Sequence, residues 1–323
     1  MCKCLGFFWI ARKIYKKNPR ILCYHGFTLE DEHHFRPKLF IEEHTFDQRM
    51  KYLQDKGYNV ISLDDFYNQK EEKNFADDTV VITIDDGFYS TLKIANEVLS
   101  KYQFPSTLYL TSYYCDRNCP IFMLAVQYMF YKSTNGADLA ALNIPGVAGN
   151  VSEENQAKII KFGSELKTEQ ERIDLLISLG ELLAVDYDEL NKNRLLNLIT
   201  FDEIGQLLEK GMDIQLHTHR HTFPEDEEAA TEEIEKNRVK IDPYLPNSQT
   251  HFCYPSGVWS KNHWPVFDKT GVKTATTCEP KLIYCDTPNY SLDRILDGSN
   301  LAQIEYEAEV SGFVELIRRL RGR

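Results

Sequence analysis

The stretch Val80-Val81-Ile82-Thr83-Ile84-Asp85-Asp86-Gly87-Phe88 decides how this chain can fold. Its β-branched run is typical of a strand that is buried on both faces of a parallel sheet, and it ends in two adjacent carboxylates and a glycine. Burying a carboxylate without a partner is costly, so such a strand end usually serves a metal, a proton or a cation. Ligands bind at that end of the strands in parallel α/β folds. These residues alone leave open a plain Asp-Asp-Gly turn.

A second polar motif, His217-Thr218-His219-Arg220-His221, also follows a predicted strand, at residues 213–216. Two imidazoles four positions apart and a distant aspartate make a plausible ligand set, because a catalytic zinc keeps three protein ligands and one open position. The hydrolytic His-Glu-x-x-His motif does not apply, since Thr218 stands where that motif has glutamate. A histidine pair at this spacing is also common at surfaces and in cores, so the metal interpretation depends on its pairing with the strand-borne aspartates.

Taken in order, these motifs resemble those of the polysaccharide deacetylases of the NodB-homology type, carbohydrate esterase family 4. The family's Thr-Phe-Asp-Asp-Gly corresponds to residues 83–87, its His-Ser/Thr-x-x-His to residues 217–221, and a Tyr-Pro-x-Gly variant of its third motif to residues 254–257. The segments Leu22-Cys23-Tyr24-His25 and Leu292-Asp293-Arg294-Ile295 are similar to parts of the poly-N-acetylglucosamine deacetylase subgroup. The resemblance covers residues 20–112 and 200–298, and the ordered set of motifs carries it.

The resemblance implies a role for each motif residue. Asp86, His217 and His221 would bind a divalent metal, with zinc expected, and Asp85 would be the general base. The third motif would contact the oxyanion and the substrate, with a backbone N–H near Ser256 as donor; its residues are Tyr254, Pro255, Ser256 and Gly257.

Two departures from the family pattern affect the proposed catalytic set. Cys253 stands where the third motif usually has an arginine, and Arg294 is the best substitute; an ordinary surface arginine is the alternative. No histidine follows His263, so the usual late Leu-x-His motif is missing. His25 is the candidate general acid, because imidazole has a pKa near working pH; the alternative is a core histidine bonded to a backbone carbonyl.

The order of elements alternates strands and helices, which favours a parallel α/β fold but does not choose between a barrel and a doubly wound sheet. The resemblance implies a distorted (β/α)7 barrel of the NodB type with a helical insertion. We therefore expect a deacetylase barrel at residues 21–112 and 200–310 and a helical insertion at 113–199. The remaining segments are an N-terminal one at 1–20 and a basic C-terminal helix at 311–323.

The composition narrows the range of partners. The formal net charge is −12, from 37 basic and 49 acidic residues, which argues against nucleic-acid binding. No convincing secretory signal or membrane-spanning run is visible, so we expect a cytoplasmic protein, with the inner membrane surface as an alternative location. Aromatic and basic residues at both ends suggest peripheral contact with an anionic membrane; helical ends packed on the barrel are the alternative.

These observations predict a metal-dependent hydrolase that removes an N-acetyl group from an amino sugar or glycan precursor and releases acetate. The partner would be an N-acetylated carbohydrate. Two alternatives remain at this point: a deformylase or other amide hydrolase on the same barrel, and a degenerate homologue that binds carbohydrate without catalysis.

Overall fold

The computed structural model of this chain describes residues 6–134 and 136–322. The first five residues of the predicted N-terminal segment, with Cys2 and Cys4, and Arg323 of the predicted basic helix therefore lie outside the described residues. The rest divides into two compact units, of which one runs up to Asp116 and resumes at Ile199, and the other is Arg117–Leu198.

The first unit is built on a parallel β-sheet. The strands are β1 Arg20–Tyr24, β2 Gly26–Phe27, β3 Phe40–Ile41, β4 Asn59–Val60, β5 Thr79–Asp86, β6 Ser106–Leu110, β7 Met212–Leu216, β8 His251–Cys253, β9 Thr274–Thr276 and β10 Ile295–Leu296. The main path of the sheet has the strand order β10-β1-β5-β6-β7-β8-β9, and β4 also pairs with β5. A separate two-stranded sheet joins β2 and β3.

The β5 strand occupies the middle of this sheet, as its sequence predicts. All of its residues are buried, because it pairs in parallel with β1 on one side and β6 on the other. Val81 packs in a core cluster with Ile21, Tyr109 and Leu292. The sheet curls towards closure. Thr276, the last residue of β9, forms an isolated parallel β-bridge with Leu292, which lies shortly before β10. The predicted (β/α)7 barrel of the NodB type is thus confirmed, as a curled half-barrel.

Helices flank the sheet and connect its parallel strands, as right-handed crossovers require. The helices of this unit are α1 Phe7–Ile14, α2 Glu32–Phe35, α3 Glu43–Asp55, α4 Leu63–Glu71, α5 Asn96–Tyr102, α10 Ile204–Leu208, α11 Glu227–Ile241, α12 Trp264–Thr270, α13 Gln303–Val310 and α14 Phe313–Leu320. None of the described helices is both long and apolar enough to cross a membrane.

The second unit is helical, and its helices are α6 Phe122–Lys132, α7 Glu153–Glu165, α8 Glu169–Leu183 and α9 Tyr187–Lys192. Close packing of α6 on α7 depends on Gly163, where an added Cβ would collide with the ring of Phe122. A capping box of Thr168 and Glu171 begins α8. The pattern of residues 188–198 favours a helix over that whole stretch, but α9 ends at Lys192 and the chain leaves helical geometry at Arg194, which has a φ of 54°.

Candidate metal and catalytic site

The polar motifs meet at the carboxyl edge of the sheet because their strands are parallel neighbours. Tyr24 pairs with Ile84, so His25 and Asp85 follow at the same level of adjacent strands. Leu216 pairs with Phe252, so His217 emerges beside Cys253. Strand register therefore places side chains that are far apart in sequence within reach of one another.

The backbone at this edge adopts conformations that are unfavourable for residues with a side chain. Asp86, Thr218, His221 and Ser256 all have positive φ values, of 72°, 64°, 57° and 57° respectively. For β-branched Thr218 such a value is a genuine outlier. Strain of this kind costs about 1–3 kcal/mol per residue and clusters at functional sites. In this protein the positive φ values of Asp86 and Thr218 turn the chain at the ends of β5 and β7.

Asp86, His217 and His221 direct three potential ligand atoms at one point. Asp86 Oδ1 lies 3.2 Å from His217 Nε2 and 3.1 Å from His221 Nε2. Zinc binds such atoms at about 2.0–2.2 Å, which puts tetrahedral ligands roughly 3.4 Å apart. Asp86 Oδ1 is buried, yet it has no hydrogen-bond partner among the described residues. An acceptor atom buried in this way suits a cation, so these residues fit a divalent metal.

Hydrogen bonds hold His217 in the orientation that a metal ligand needs. Its Nδ1 lies 2.9 Å from the carbonyl oxygen of Cys253, which can only accept, so Nδ1 donates and Nε2 carries the lone pair. The backbone N–H of His217 donates to Asn237 Oδ1 at 3.0 Å. Asn237 in turn donates to the carbonyl of Leu110 and to Ser112 Oγ, each at 3.0 Å. The imidazole is therefore fixed by neighbouring strands before any ligand arrives.

Asp85 forms a buried bidentate ion pair with Arg294. The two guanidinium nitrogens Nη1 and Nη2 donate to Oδ1 and Oδ2, both at 2.7 Å. Arg294 also donates to the carbonyl of Thr277 at 2.8 Å and to Thr83 Oγ1 at 3.1 Å. Burial alone would raise the pKa of Asp85, but the charge and hydrogen bonds of Arg294 hold that pKa well below its usual range. Asp85 is consequently an anion beside the buried Asp86.

Two buried thiols also contact the Asp85 carboxylate. Cys253 Sγ lies 3.3 Å from Asp85 Oδ2 and 3.0 Å from Arg294 Nη2. Cys23 Sγ lies 3.6 Å from the same carboxylate oxygen. Burial raises the pKa of both thiols well above the ordinary value. They therefore act as neutral, weak donors towards the Asp85 carboxylate.

His25 lies on the open side of Asp85. Its Nε2 is 3.7 Å from Asp85 Oδ2, and 17% of its side chain is exposed. Burial lowers the pKa of His25, although the charges of Asp85 and Asp86 oppose this. His25 is therefore accessible from solvent and close to the Asp85 carboxylate.

The third motif forms a tight turn directly after β8. Pro255–Gly257 is a single helical turn in which Ser256 is exposed at a positive φ. Tyr254 is fully buried, and its hydroxyl donates to the carbonyl of Tyr290 at 2.8 Å. The Tyr254 ring therefore packs in the core, while Ser256 is exposed at the edge of the sheet. The contact of this motif with the oxyanion and the substrate stays a prediction.

Comparison with known proteins identifies the family that this arrangement belongs to. The polysaccharide deacetylase family model matches residues 72–275, which is more than half of the chain. The chain belongs to the polysaccharide deacetylase family. It is therefore a hydrolase of the carbohydrate esterase type that acts on N-acetyl groups, as the sequence motifs predict. No curated protein matches the sequence significantly.

Solved structures of deacetylases share the fold. The Streptococcus pyogenes deacetylase PplD in complex with acetate superposes with a TM-score of 0.59 at 17% identity, covering 88% of this chain and 94% of its own. IcaB from Ammonifex degensii gives 0.59 at 15% identity, covering 91% and 97%. A de-N-acetylase from Aggregatibacter actinomycetemcomitans gives 0.58 at 12% identity, covering 90% and 99%. At these identities the likeness shows the fold.

The sequence motifs did not identify several residues that contact the candidate site. Thr83, Cys23 and Asn237 each contact a predicted site residue. Strand alternation could have found the first two, because Thr83 shares a face of β5 with Asp85 and Cys23 shares a face of β1 with His25. Asn237 has no such signal, since it comes from the middle of α11.

Proposed function

We propose that this polysaccharide deacetylase is metal-dependent, with zinc as the metal, and that it hydrolyses the N-acetyl group of an amino sugar in a glycan or glycan precursor. The observation that carries this proposal is the convergence of Asp86, His217 and His221 beside a second ionised carboxylate, with Asp86 Oδ1 3.1–3.2 Å from both imidazole nitrogens. Cleavage of the amide by water would release acetate and leave a free amine on the sugar.

When bound, zinc would polarise the acetyl carbonyl and lower the pKa of a bound water. Asp85 would accept the proton of the attacking water as that water adds to the carbonyl carbon. The carboxylate suits this role because Arg294 fixes both of its oxygens and keeps it ionised. The N–H near Ser256 would hold the oxyanion that develops.

His25 would supply the proton that the leaving nitrogen needs when the carbon–nitrogen bond breaks. Its Nε2 lies 3.7 Å from Asp85 Oδ2, so the proton taken from water and the proton given to the amine are handled by adjacent groups. The net reaction consumes one water and yields acetate and the amine. The cytoplasmic location stays a prediction from the sequence.

The first test compares two adjacent aspartates as a matched pair, Asp85→Asn and Asp86→Asn, in the zinc-loaded full chain. We expect Asp85→Asn to keep about one metal per chain while acetate release falls by roughly 10²–10⁴-fold, the contribution typical of a general base. Asp86→Asn should lose the metal and the activity together. Elemental analysis and acetate release from a panel of N-acetylated glycans measure both quantities.

The outcomes separate the alternatives. Unchanged turnover in Asp85→Asn would remove Asp85 as the base, and full metal content in Asp86→Asn would remove the ligand set. Formate release from N-formyl sugars without acetate release would favour the deformylase. Glycan binding without turnover in the metal-loaded protein would favour the degenerate binding homologue.

A further inference from the structure

The first and last described helices, α1 and α14, pack against each other although they stand at opposite ends of the sequence. The ring of Phe313 lies 5.2 Å from that of Phe8 and 6.3 Å from that of Phe7, between centroids. Gly312, just before α14, lies so close to Tyr15 that an added Cβ would come within 2.9 Å of its ring. The two helices therefore present a common surface, here called the terminal-helix surface.

The α1 helix is apolar on its outer face as well as on its inner face. Ala11 and Tyr15 are buried against the protein. On the outside, large apolar side chains are exposed: Phe7 by 41%, Trp9 by 66%, Ile10 by 42% and Ile14 by 55%. Positions 7, 10 and 14 follow helical spacing and form one stripe, and Trp9 lies beside it with Lys13 5.9 Å above its ring. Soluble proteins rarely leave such a contiguous patch open without a partner.

The charge of this region is opposite to that of the protein as a whole. Residues 6–19 contain Arg12, Lys13, Lys16 and Lys17 and no acidic residue, while the chain carries a net charge of −12. The α14 segment adds Arg318, Arg319 and Arg321. Glu309 and Glu315 pair with Arg318 at 3.2 and 3.6 Å, and Glu315 also pairs with Arg319 at 3.4 Å.

Acidic neighbours offset only part of this positive charge. Asp78 pairs with Arg12 at 3.0 Å, and Asp77 pairs with Lys16 and Lys17, each at 2.9 Å. Asp77 and both lysines are about half exposed, so water and salt weaken these two pairs. Lys13 is exposed beside the apolar stripe, next to the Trp9 ring.

We propose that the terminal-helix surface docks on the anionic surface of a lipid bilayer. Exposed tryptophan, phenylalanine and isoleucine with adjacent lysine are the composition of helices that lie in the bilayer interface. Each basic residue near an anionic leaflet adds an attraction that salt screens. A second copy of this chain fits less well, because a two-fold interface would bring the same basic patch against itself. The proposal is independent of the catalytic assignment.

The test uses vesicle co-sedimentation of the full chain, with phosphatidylcholine alone or mixed with phosphatidylglycerol. We expect binding to the mixed vesicles only, weakened by added salt. Trp9→Glu should lower the affinity about tenfold or more, because it removes an interfacial aromatic and adds a repelled charge. Val239→Glu is the matched control: Val239 is 69% exposed on α11, and the substitution adds the same charge elsewhere.

Three results would overturn the proposal. They are an absence of binding to mixed vesicles, equal binding by both variants, and a dimer that Trp9→Glu converts to monomer in sedimentation velocity. The last result would identify the surface as an interface between copies. Unfolding temperature and deacetylation of a soluble glycan should be unchanged in both variants, which separates a lost surface from a lost fold.

Discussion

Arg294 reaches Asp85 from a different strand than the family's usual third-motif arginine would. It stands just before β10, and its guanidinium lies 3.0 Å from Cys253 Sγ, at the position where that motif usually has arginine. Both Arg294 and Cys253 are fully buried. We infer that the cysteine at 253 and the arginine at 294 are one compensating exchange, because the small thiol leaves the space that the guanidinium fills. The positive charge next to the Asp85 carboxylate would then be kept, while its origin in the chain changes.

This exchange predicts strong coupling between the two positions. Arg294→Met should lower acetate release by more than about a hundredfold, and it should cost about 3–5 kcal/mol of unfolding free energy because Asp85 is left buried and unpaired. Cys253→Arg alone should also destabilise the protein, since it forces a second guanidinium into the same space. The double variant should be more stable and more active than either single variant predicts. Denaturant unfolding and acetate release check this; effects that simply add would contradict it.

At the level of elements, the turn of the third motif requires glycine at position 257 for two reasons: a positive φ and a close contact with Cys278. Gly257 ends the turn after β8 with a φ of 66°, and a Cβ at this position would lie 2.7 Å from Cys278 Cβ. The turn is therefore pressed against the segment that follows β9. Because Ser256 lies in the same turn, its position relative to Asp86 depends on that close approach.

Gly257→Ala and Gly271→Ala separate the two reasons experimentally. Gly271 ends α12 with a φ of 71°, but an added Cβ would meet no atom of the described residues within 4 Å, its own chain neighbours aside. Gly271→Ala should therefore cost only the conformational penalty, about 1–2 kcal/mol, with activity retained. Gly257→Ala should cost more and should also lower acetate release, because the turn must move. Thermal unfolding and kinetics of both variants are the measurement, and equal costs with equal activity would show that the contact with Cys278 has no influence.

Among the strands and helices, the sequence predicts some elements well and others not at all. The β5 and β7 strands are visible because each combines an apolar run with a polar terminus, which also locates Asp85, Asp86 and His217. The two-residue β10 carries no periodic pattern, since its assignment depends only on pairing with β1. Arg294 could be proposed from resemblance but not placed, because nothing local indicates that a buried guanidinium crosses to Asp85. Long-range pairing of this kind is a property of the folded sheet.

The molecule as a whole is acidic, and this has a consequence for carboxyl groups that folding partly buries. Asp293, next to Arg294, is half-buried, and its pKa is raised to about 6, mainly by burial; Lys281 opposes the rise, and the charges of Glu279 and Glu315 add to it. The native state thus holds a proton on Asp293 at pH values where the unfolded chain has released it. Stability from this group is complete below its unfolded pKa of 3.8 and is lost as pH rises through about 6.

Asp293→Asn should therefore stabilise the protein at pH 8 and leave it nearly unchanged at pH 4. The shift of about two pKa units corresponds to roughly 3 kcal/mol at full strength. Solvent screening of a partly exposed group reduces this to on the order of 1 kcal/mol, or a few degrees in unfolding temperature. Asp286→Asn, at an exposed position, controls for the change in net charge. Thermal unfolding of all three proteins at both pH values measures the difference. A gain at pH 4 as large as at pH 8, or the same gain in the control, would mean that the charge on Asp293 is not what destabilises the native state at high pH.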